Sequence, residues 1–245
     1  MTITYNLILV IVSALIAIAA SYVALELANR LMVARKTNRR FWLMGGAIAM
    51  GTGIWAMHFV AMLAFSIPLY ITYDLPIVLL SLLLAILASL QALFIVGRPH
   101  VSTFALVGGS LSMGVGIAMM HYSGMAAMRM PANIGYNPGL FALSVLVAVI
   151  VSLAALTLAV LFREEKFSQQ IGLKMITACV MGGAVLSMHY TGMSAANFTH
   201  QPDISVALSG LDNSWLAAIV CTFTLLVLGA MGVILYGEAR TAHSD

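Results

Sequence analysis

Ser112-Met113-Gly114-Val115-Gly116-Ile117-Ala118-Met119-Met120-His121-Tyr122-Ser123-Gly124-Met125 decides the fold, because the same stretch is written three times. Its counterparts are Ala49-Met50-Gly51-Thr52-Gly53-Ile54-Trp55-Ala56-Met57-His58-Phe59-Val60-Ala61-Met62 and Val180-Met181-Gly182-Gly183-Ala184-Val185-Leu186-Ser187-Met188-His189-Tyr190-Thr191-Gly192-Met193. Relative to each histidine, methionine recurs eight before, one before and four after; an aromatic residue follows directly, and glycine or alanine stands three after. The histidines are 63 and 68 residues apart, room for one helix pair each time. A period of that length marks a repeated supersecondary unit, here a helical hairpin.

The composition around the repeat sets the solvent. Of 245 residues 62% are hydrophobic and 8% charged, and the mean hydropathy is +1.04. Soluble domains carry about a quarter charged residues, and a chain this small could not hide so much apolar surface from water. A soluble enzyme, a nucleic-acid-binding domain, a disulfide scaffold and a disordered tail are thereby excluded. The net charge of +3 needs no anionic partner when so few charges exist. Cys179 and Cys221 lie in apolar runs without CxxC spacing and carry no redox message.

Runs able to cross roughly 30 Å of hydrocarbon, about 20 residues each, fall at Tyr5–Ala28, Phe41–Phe65, Leu75–Val96, Ser102–Met128, Gly139–Phe162, Ile171–Asn197 and Trp215–Tyr236. The predicted fold is an all-α integral membrane protein of seven transmembrane helices: three helical-hairpin repeats plus a seventh helix. Breakers sit between the spans, at Pro68, Asp74-Leu75-Pro76, Arg98-Pro99-His100, Pro131 to Pro138 and Gln201-Pro202-Asp203. Basic residues gather in alternate connections: Arg30, Arg35, Lys36, Arg39 and Arg40 in the first, Arg98 in the third, Arg163, Lys166 and Lys174 in the fifth, and Arg240 after the last span. The others offer only Arg129. By the positive-inside rule the N-terminus is outside and the C-terminus cytoplasmic. Residues 1–236 then form one membrane domain and 237–245 a short cytoplasmic tail. The opening Met1-Thr2-Ile3-Thr4-Tyr5-Asn6 lacks a basic n-region, so the first span reads as a permanent helix rather than a cleaved signal.

Each motif histidine falls about 17 to 20 residues into an outward-running span, roughly 25 to 30 Å from its inner start. His58, His121 and His189 thus share one depth near the outer face. The methionine four residues on (Met62, Met125, Met193) lies on the same helix face one turn higher, whereas Met57, Met120 and Met188 point about 100° away. Gly124, Gly192 and Ala61, with Gly51, Gly114 and Gly182 below, permit close helix approach. Neutral imidazoles and thioethers without a carboxylate are soft-to-borderline ligands that suit copper, Cu(I) above all. Zinc through three histidines leaves the thioethers idle, and b-type haem held by His/His or His/Met pairs is the other candidate. The bland alternatives are methionine as core filler and a structural histidine copied by duplication. His100 falls in an inner connection and His243 in the tail. His200 with Met128 and Met130 forms a candidate outer surface for metal access. Glu26 is expected to snorkel or pair with Arg30, and Arg129 to mark the interface. Cys179 lies about 15 Å below His189 along the helix, too far to join its ligands, while Cys221 could approach from the seventh helix.

At Met57-His58-Phe59-Val60, Met120-His121-Tyr122-Ser123 and Met188-His189-Tyr190-Thr191 the chain resembles the bacterial MHYT domain family, and the resemblance covers nearly its whole length. Only the third copy spells the motif in full; the first departs most, with Phe59 and Val60. The resemblance implies an integral sensor domain of the bacterial inner membrane. Copper would be bound through the motif's histidines and methionines, and oxygen, carbon monoxide or nitric oxide sensed through it. It also implies cytoplasmic outputs of the cyclic-di-GMP, kinase or DNA-binding type. Only residues 237–245 follow Tyr236, so the expected partners are the lipid bilayer and an output domain cut from this chain or carried by a separate protein, with an oligomer left open and no nucleic acid. The rival readings are a metal permease, against which few acidic or proline-broken segments speak, and a b-type haem protein. No lysine in the seventh span offers a retinal Schiff base, and no nucleophile–base pair or phosphate loop suggests an enzyme.

Overall fold

The computed structural model describes residues 3–34, 36–168, 170–200 and 210–241, with the side chains of 36, 37, 165, 168, 200 and 238–241 outside that description. Its elements in order are β1 (Thr4–Tyr5), α1 (Leu7–Val33), α2 (Lys36–Ala64), β2 (Phe65–Ser66), β3 (Thr72–Tyr73), α3 (Leu75–Val96) and α4 (Thr103–Ala126), followed by β4 (Met128–Arg129), β5 (Ala132–Tyr136), α5 (Pro138–Leu161), α6 (Glu165–Ser168), α7 (Ile171–Ala195), β6 (Ala196–His200) and α8 (Asn213–Thr241). Among the described residues, seven of these helices are long and apolar enough to cross a membrane. They are the seven that the hydropathy predicts.

Their starts follow from side chains that satisfy orphan backbone N–H groups. Asn6 accepts from Ile8 and Leu9, Asp74 from Ile77, Asn137 from Gly139 and Leu140, and Asp212 from Ser214 and Trp215. These caps open α1, α3, α5 and α8 at one end of the bundle; Ser102 opens α4 at the other. The capped α1 therefore begins at Leu7 rather than Tyr5, while α2 reaches back to Lys36 and carries Arg39 and Arg40 on helix rather than loop.

Six helices close into a ring. α2, α4 and α7 meet at the centre, and α1, α3 and α5 fill the clefts between them, α1 lying between α7 and α2. The approach is close because each central helix carries glycine at the crossing. A methyl group on Gly51 or Gly114 would fall 2.6 Å from the Cα of Ile86 or Val149, and one on Gly182 2.9 Å from the backbone nitrogen of Ile18. α8 stands outside the ring, packed along α2. That cover explains why α2 is 83% buried over its apolar window while the other spans are 22–39% buried and leave the remainder to lipid.

Hydropathy does not show the connections at the capped end, which are three antiparallel two-stranded ribbons: β1 with β2, β3 with β4 and β5 with β6. Each ribbon ties the end of a central helix to the start of an outer one, and Leu211 adds a bridge to Tyr73. Phe65 and Asn197, expected inside spans, belong to β2 and β6. Strands of two to five residues that continue directly from a helix look like helix ends to a hydropathy window. The basic residues Arg39, Arg98 and Arg163 cluster at the opposite end, where Arg39 donates to Gly97 O at 2.8 Å and Arg163 to Val96 O and Arg98 O at 2.8 and 2.6 Å.

Candidate metal centre

The repeat register becomes a site where the central helices meet. His58, His121 and His189 are 0–1% exposed, and their rings pack edge to face with centroids 4.9, 5.1 and 5.2 Å apart. Their Nδ1 atoms converge, His58 to His189 at 3.1 Å and His121 to His58 at 3.2 Å. Each motif helix continues only a turn and a half beyond its histidine before the ribbon begins, so the triangle sits just beneath the ribbons.

The glycines three residues past the histidines have a specific task. A Cβ on Gly124 would collide with the imidazole of His58, and one on Gly192 with that of His121. The rings of His58 and His121 therefore lean on the small residue of the next copy, and buried Ala61 stands at the matching position of the first copy. The outward nitrogens Nε2 of all three rings are buried without a hydrogen-bond partner.

The donor set fits a metal ion. Three imidazole nitrogens bonded at about 2.0–2.1 Å in a tetrahedral shell stand about 3.3–3.4 Å apart, within a few tenths of the 3.1 and 3.2 Å that separate His58 from the other two. No carboxylate joins them: among the described residues, these three are the group of histidine, cysteine or acidic side chains placed to hold an ion, their ligand atoms all within 4.8 Å. Haem fits poorly, since rings in mutual contact leave no slot for a macrocycle. Met57, Met62, Met120, Met125, Met188 and Met193 are 0–5% exposed, and all but Met57 share the apolar cluster with Trp55 and Phe59. By register, Met62, Met125 and Met193 stand one turn nearer the ribbons than the histidines.

Aromatic residues at or one turn before the position after the histidine reach toward serines of the outer helices. Tyr122 shares a 2.6 Å hydrogen bond with Ser144 of α5, and Tyr190 lies against Ser13 of α1, its buried hydroxyl falling short of a hydrogen bond. Phe59 has no hydroxyl. Instead Trp55, one turn earlier on α2, donates its indole N–H to Ser81 Oγ at 3.2 Å. The three serines belong to a second repeat, Ser13-x3-Ala17-x2-Ala20-Ser21-x2-Ala24, Ser81-x3-Ala85-x2-Ala88-Ser89-x2-Ala92 and Ser144-x3-Ala148-x2-Val151-Ser152-x2-Ala155. Reading the motif helices alone misses it, yet its spacings of 68 and 63 residues stood in the chain as a signal.

Several expected positions fall elsewhere. Met128, paired with Tyr73 in the β3–β4 ribbon, and Met130 just after it are 6% and 5% exposed, so they form no outer access surface. The side chain of His200 lies outside the described residues, as do His243, Arg35 and the Gln201-Pro202-Asp203 connection. His100 is exposed at the end opposite the ribbons. Cys179 and Cys221 are exposed, and Cys221 sits on α8 outside the ring, so it does not approach the triangle. Glu26 does pair with Arg30, at 3.4 Å, and also with Lys174 at 2.7 Å. Arg129 bonds Asp74 at 2.7 Å across the β3–β4 ribbon and holds that carboxyl below the usual range, while burial drives the neighbouring Tyr73 phenol upward.

A ring of membrane-length helices around three repeat-related imidazoles defines a multi-pass membrane domain with an internal histidine centre. The chain belongs to the MHYT family, described as bacterial signalling protein N terminal repeat, whose profile matches residues 1–46, 51–109, 114–172 and 182–238. Among curated proteins it is 47% identical over 238 residues to the bifunctional diguanylate cyclase/cyclic di-GMP phosphodiesterase MucR of Pseudomonas aeruginosa, covering 97% of this chain and 34% of that protein. It is 42% identical over 192 residues to the cyclic di-GMP phosphodiesterase NbdA of the same organism, covering 78% and 24%. The signaling protein YkoW of Bacillus subtilis is 36% identical over 197 residues, covering 80% and 24%. The chain thus spans about a third or less of the length of these relatives, as an MHYT signalling domain. No solved structure matches it.

Proposed function

We propose that this domain is the copper-binding sensor of a bacterial inner-membrane signalling system. The observation that carries the reading is the convergence of three fully buried Nδ1 atoms from repeat-related helices. Burying polar nitrogens in a membrane interior is costly unless they are used, and bonding to one ion would employ all three. His58, His121 and His189 would be the principal ligands, Met62, Met125 and Met193 the thioethers one turn above, and Met57, Met120 and Met188 the second choice. Soft ligands of this kind favour Cu(I), which when bound supplies a coordination position for oxygen, carbon monoxide or nitric oxide. The basic end of the bundle, with Arg39, Arg98 and Arg163, would face the cytoplasm, and the ribbons and histidines the outside. A signal requires that ligation favour one helix arrangement over another. α8, the span outside the ring, would carry that change to a cytoplasmic output domain or partner of the cyclic-di-GMP kind.

The test is metal content. Protein purified in detergent from copper-supplemented cells should contain about one copper per chain by mass spectrometry, and a His58→Ala/His121→Ala/His189→Ala variant should have lost it. Equal copper in both, or none in the native protein, sinks the reading. Copper flux into proteoliposomes would instead favour a permease.

A further inference from the structure

The end of the bundle opposite the ribbons gathers arginines that no described carboxylate neutralises. Three consecutive carbonyls stand at the end of α3, those of Val96, Gly97 and Arg98, and guanidinium groups from two other places in the chain grip them. Arg39 of α2 donates to Gly97, and Arg163, just after α5, to Val96 and Arg98. Arg98 turns its own side chain back over the ring of Phe94, 5.0 Å from the centroid, and among the described residues its guanidinium donates no hydrogen bond. Of the described carboxylates at this end, Glu26 is taken by Arg30 and Lys174, and Glu164 pairs with none of the three arginines.

We propose that Arg39, Arg98 and Arg163 form a binding site for the phosphate of an anionic phospholipid, in the leaflet that this end of the bundle borders. The attraction of a cation to the negative end of a helix accounts for the three carbonyl bonds and for nothing more. Each guanidinium carries five N–H donors. Arg163 makes both of its bonds from Nη1 and leaves a buried Nε without a partner, while Arg98 commits none of its donors. Such planar forks match the paired oxygens of a phosphate, and basic pockets between membrane helices take lipid head groups by the same contacts. A lipid, rather than a soluble anion, is selected by what surrounds the arginines. Phe94 under Arg98 is 48% exposed, Phe104 across the Arg98-Pro99-His100 connection 87%, and Leu161, two residues before Arg163, 40%. On membrane-length helices these surfaces meet acyl chains, so a phosphate held by the arginines sets its own chains against them. The site stands at the far end from the triangle and does not require it to hold metal.

Phosphatidylglycerol is the probe. The intact chain is reconstituted in nanodiscs of phosphatidylglycerol and phosphatidylcholine in equal amounts, and the lipids that stay bound after transfer to detergent are counted by native mass spectrometry. The native chain is expected to retain phosphatidylglycerol over phosphatidylcholine by about fivefold or more. Arg39→Lys/Arg98→Lys/Arg163→Lys keeps every charge, and with it the topology, but removes the forks, so its preference should fall by about threefold or more. A preference equal in the native chain and the lysine variant would reduce the effect to general attraction between charges, and no built site would exist; no preference in the native chain overturns the proposal as well. Displacement of the retained phosphatidylglycerol by excess inorganic phosphate would give the arginines to a soluble anion and sink the lipid. Should the triple variant not fold, Arg98→Lys alone, which breaks no hydrogen bond of that guanidinium to a described residue, must lower the preference about twofold or more; unchanged retention overturns the proposal.

Discussion

A methyl group at Gly124 has nowhere to go, because the His58 imidazole already occupies its place. Overpacking of this kind costs about 1–3 kcal/mol when neighbours must shift, and here the neighbour is one corner of the nitrogen triangle. Gly124→Ala should therefore lower the thermal midpoint in detergent and displace His58 from the other rings. A variant that melts with the native protein and retains its histidine ring shifts in NMR would refute the packing cycle. The first repeat offers a subtler case. Phe59→Tyr would bury a hydroxyl at the repeat position of Tyr122, where the matching serine, Ser81, already accepts from Trp55, and an unpaired buried hydroxyl costs about 1–3 kcal/mol. Combining it with Trp55→Phe frees the serine for the new phenol, reproducing the Tyr122–Ser144 pair. The two changes should couple favourably by at least about 0.5 kcal/mol. Strict additivity in a double-mutant cycle would mean that the serines do not anchor the aromatic positions.

Among the elements, the α7–α1 contact differs from every other in the ring, since it alone joins two membrane-length helices that do not follow one another in the chain. Among the described residues, here alone an ion pair crosses between ring helices: Lys174 of α7, 4% exposed, meets Glu26 of α1 at 2.7 Å. At the corresponding positions of the other copies stand Phe94 and Thr157 for Glu26 and Leu106 and Leu43 for Lys174. Breaking a buried pair from one side costs about 3–5 kcal/mol, with Glu26→Gln at the lower end because the carboxylate is partly exposed. Glu26→Gln should destabilise more than Lys174→Met, which leaves Glu26 its bond to Arg30, and the double variant should regain much of the loss. Thermal unfolding checks the order, and equal losses in the two single variants would contradict it. The seven helices and the shared depth of His58, His121 and His189 were legible in the sequence because hydropathy and a strict motif report span and register. The ring closure was not, because Glu26 reads locally as an i,i+4 partner of Arg30 and its tie to Lys174 spans most of the chain. The ribbons escaped because strands as short as Phe65–Ser66 leave no period to detect.

For the molecule as a whole, the last profile match, residues 182–238, joins half of α7 to α8 as if they formed another hairpin unit. In space the place beside α7 belongs to α1, and α8 lies against α2 instead. The serine and alanine ladder explains the choice: α1 carries it and α8 does not. Since α1 is gripped by α2 and α7 through side chains, its covalent link to α2 should be dispensable. Two fragments made by cutting the α1–α2 connection, co-expressed with a tag on one, are expected to purify together from the membrane. Recovery of the tagged piece alone, with both inserted, would show that the ring needs the link.

The placement of α1 also dictates an order of events during synthesis. Of the seven spans α1 is made before the other six and belongs next to the one containing His189, so its cleft stays half-lined until more than a hundred further residues are made. At about 5–20 residues per second, that wait lasts on the order of ten seconds, and through its last part His58 and His121 have been made while His189 has yet to be translated. The nascent domain is thus unable to complete its nitrogen triangle early, and any ion that needs all three rings is captured only by a chain whose translation has passed α7.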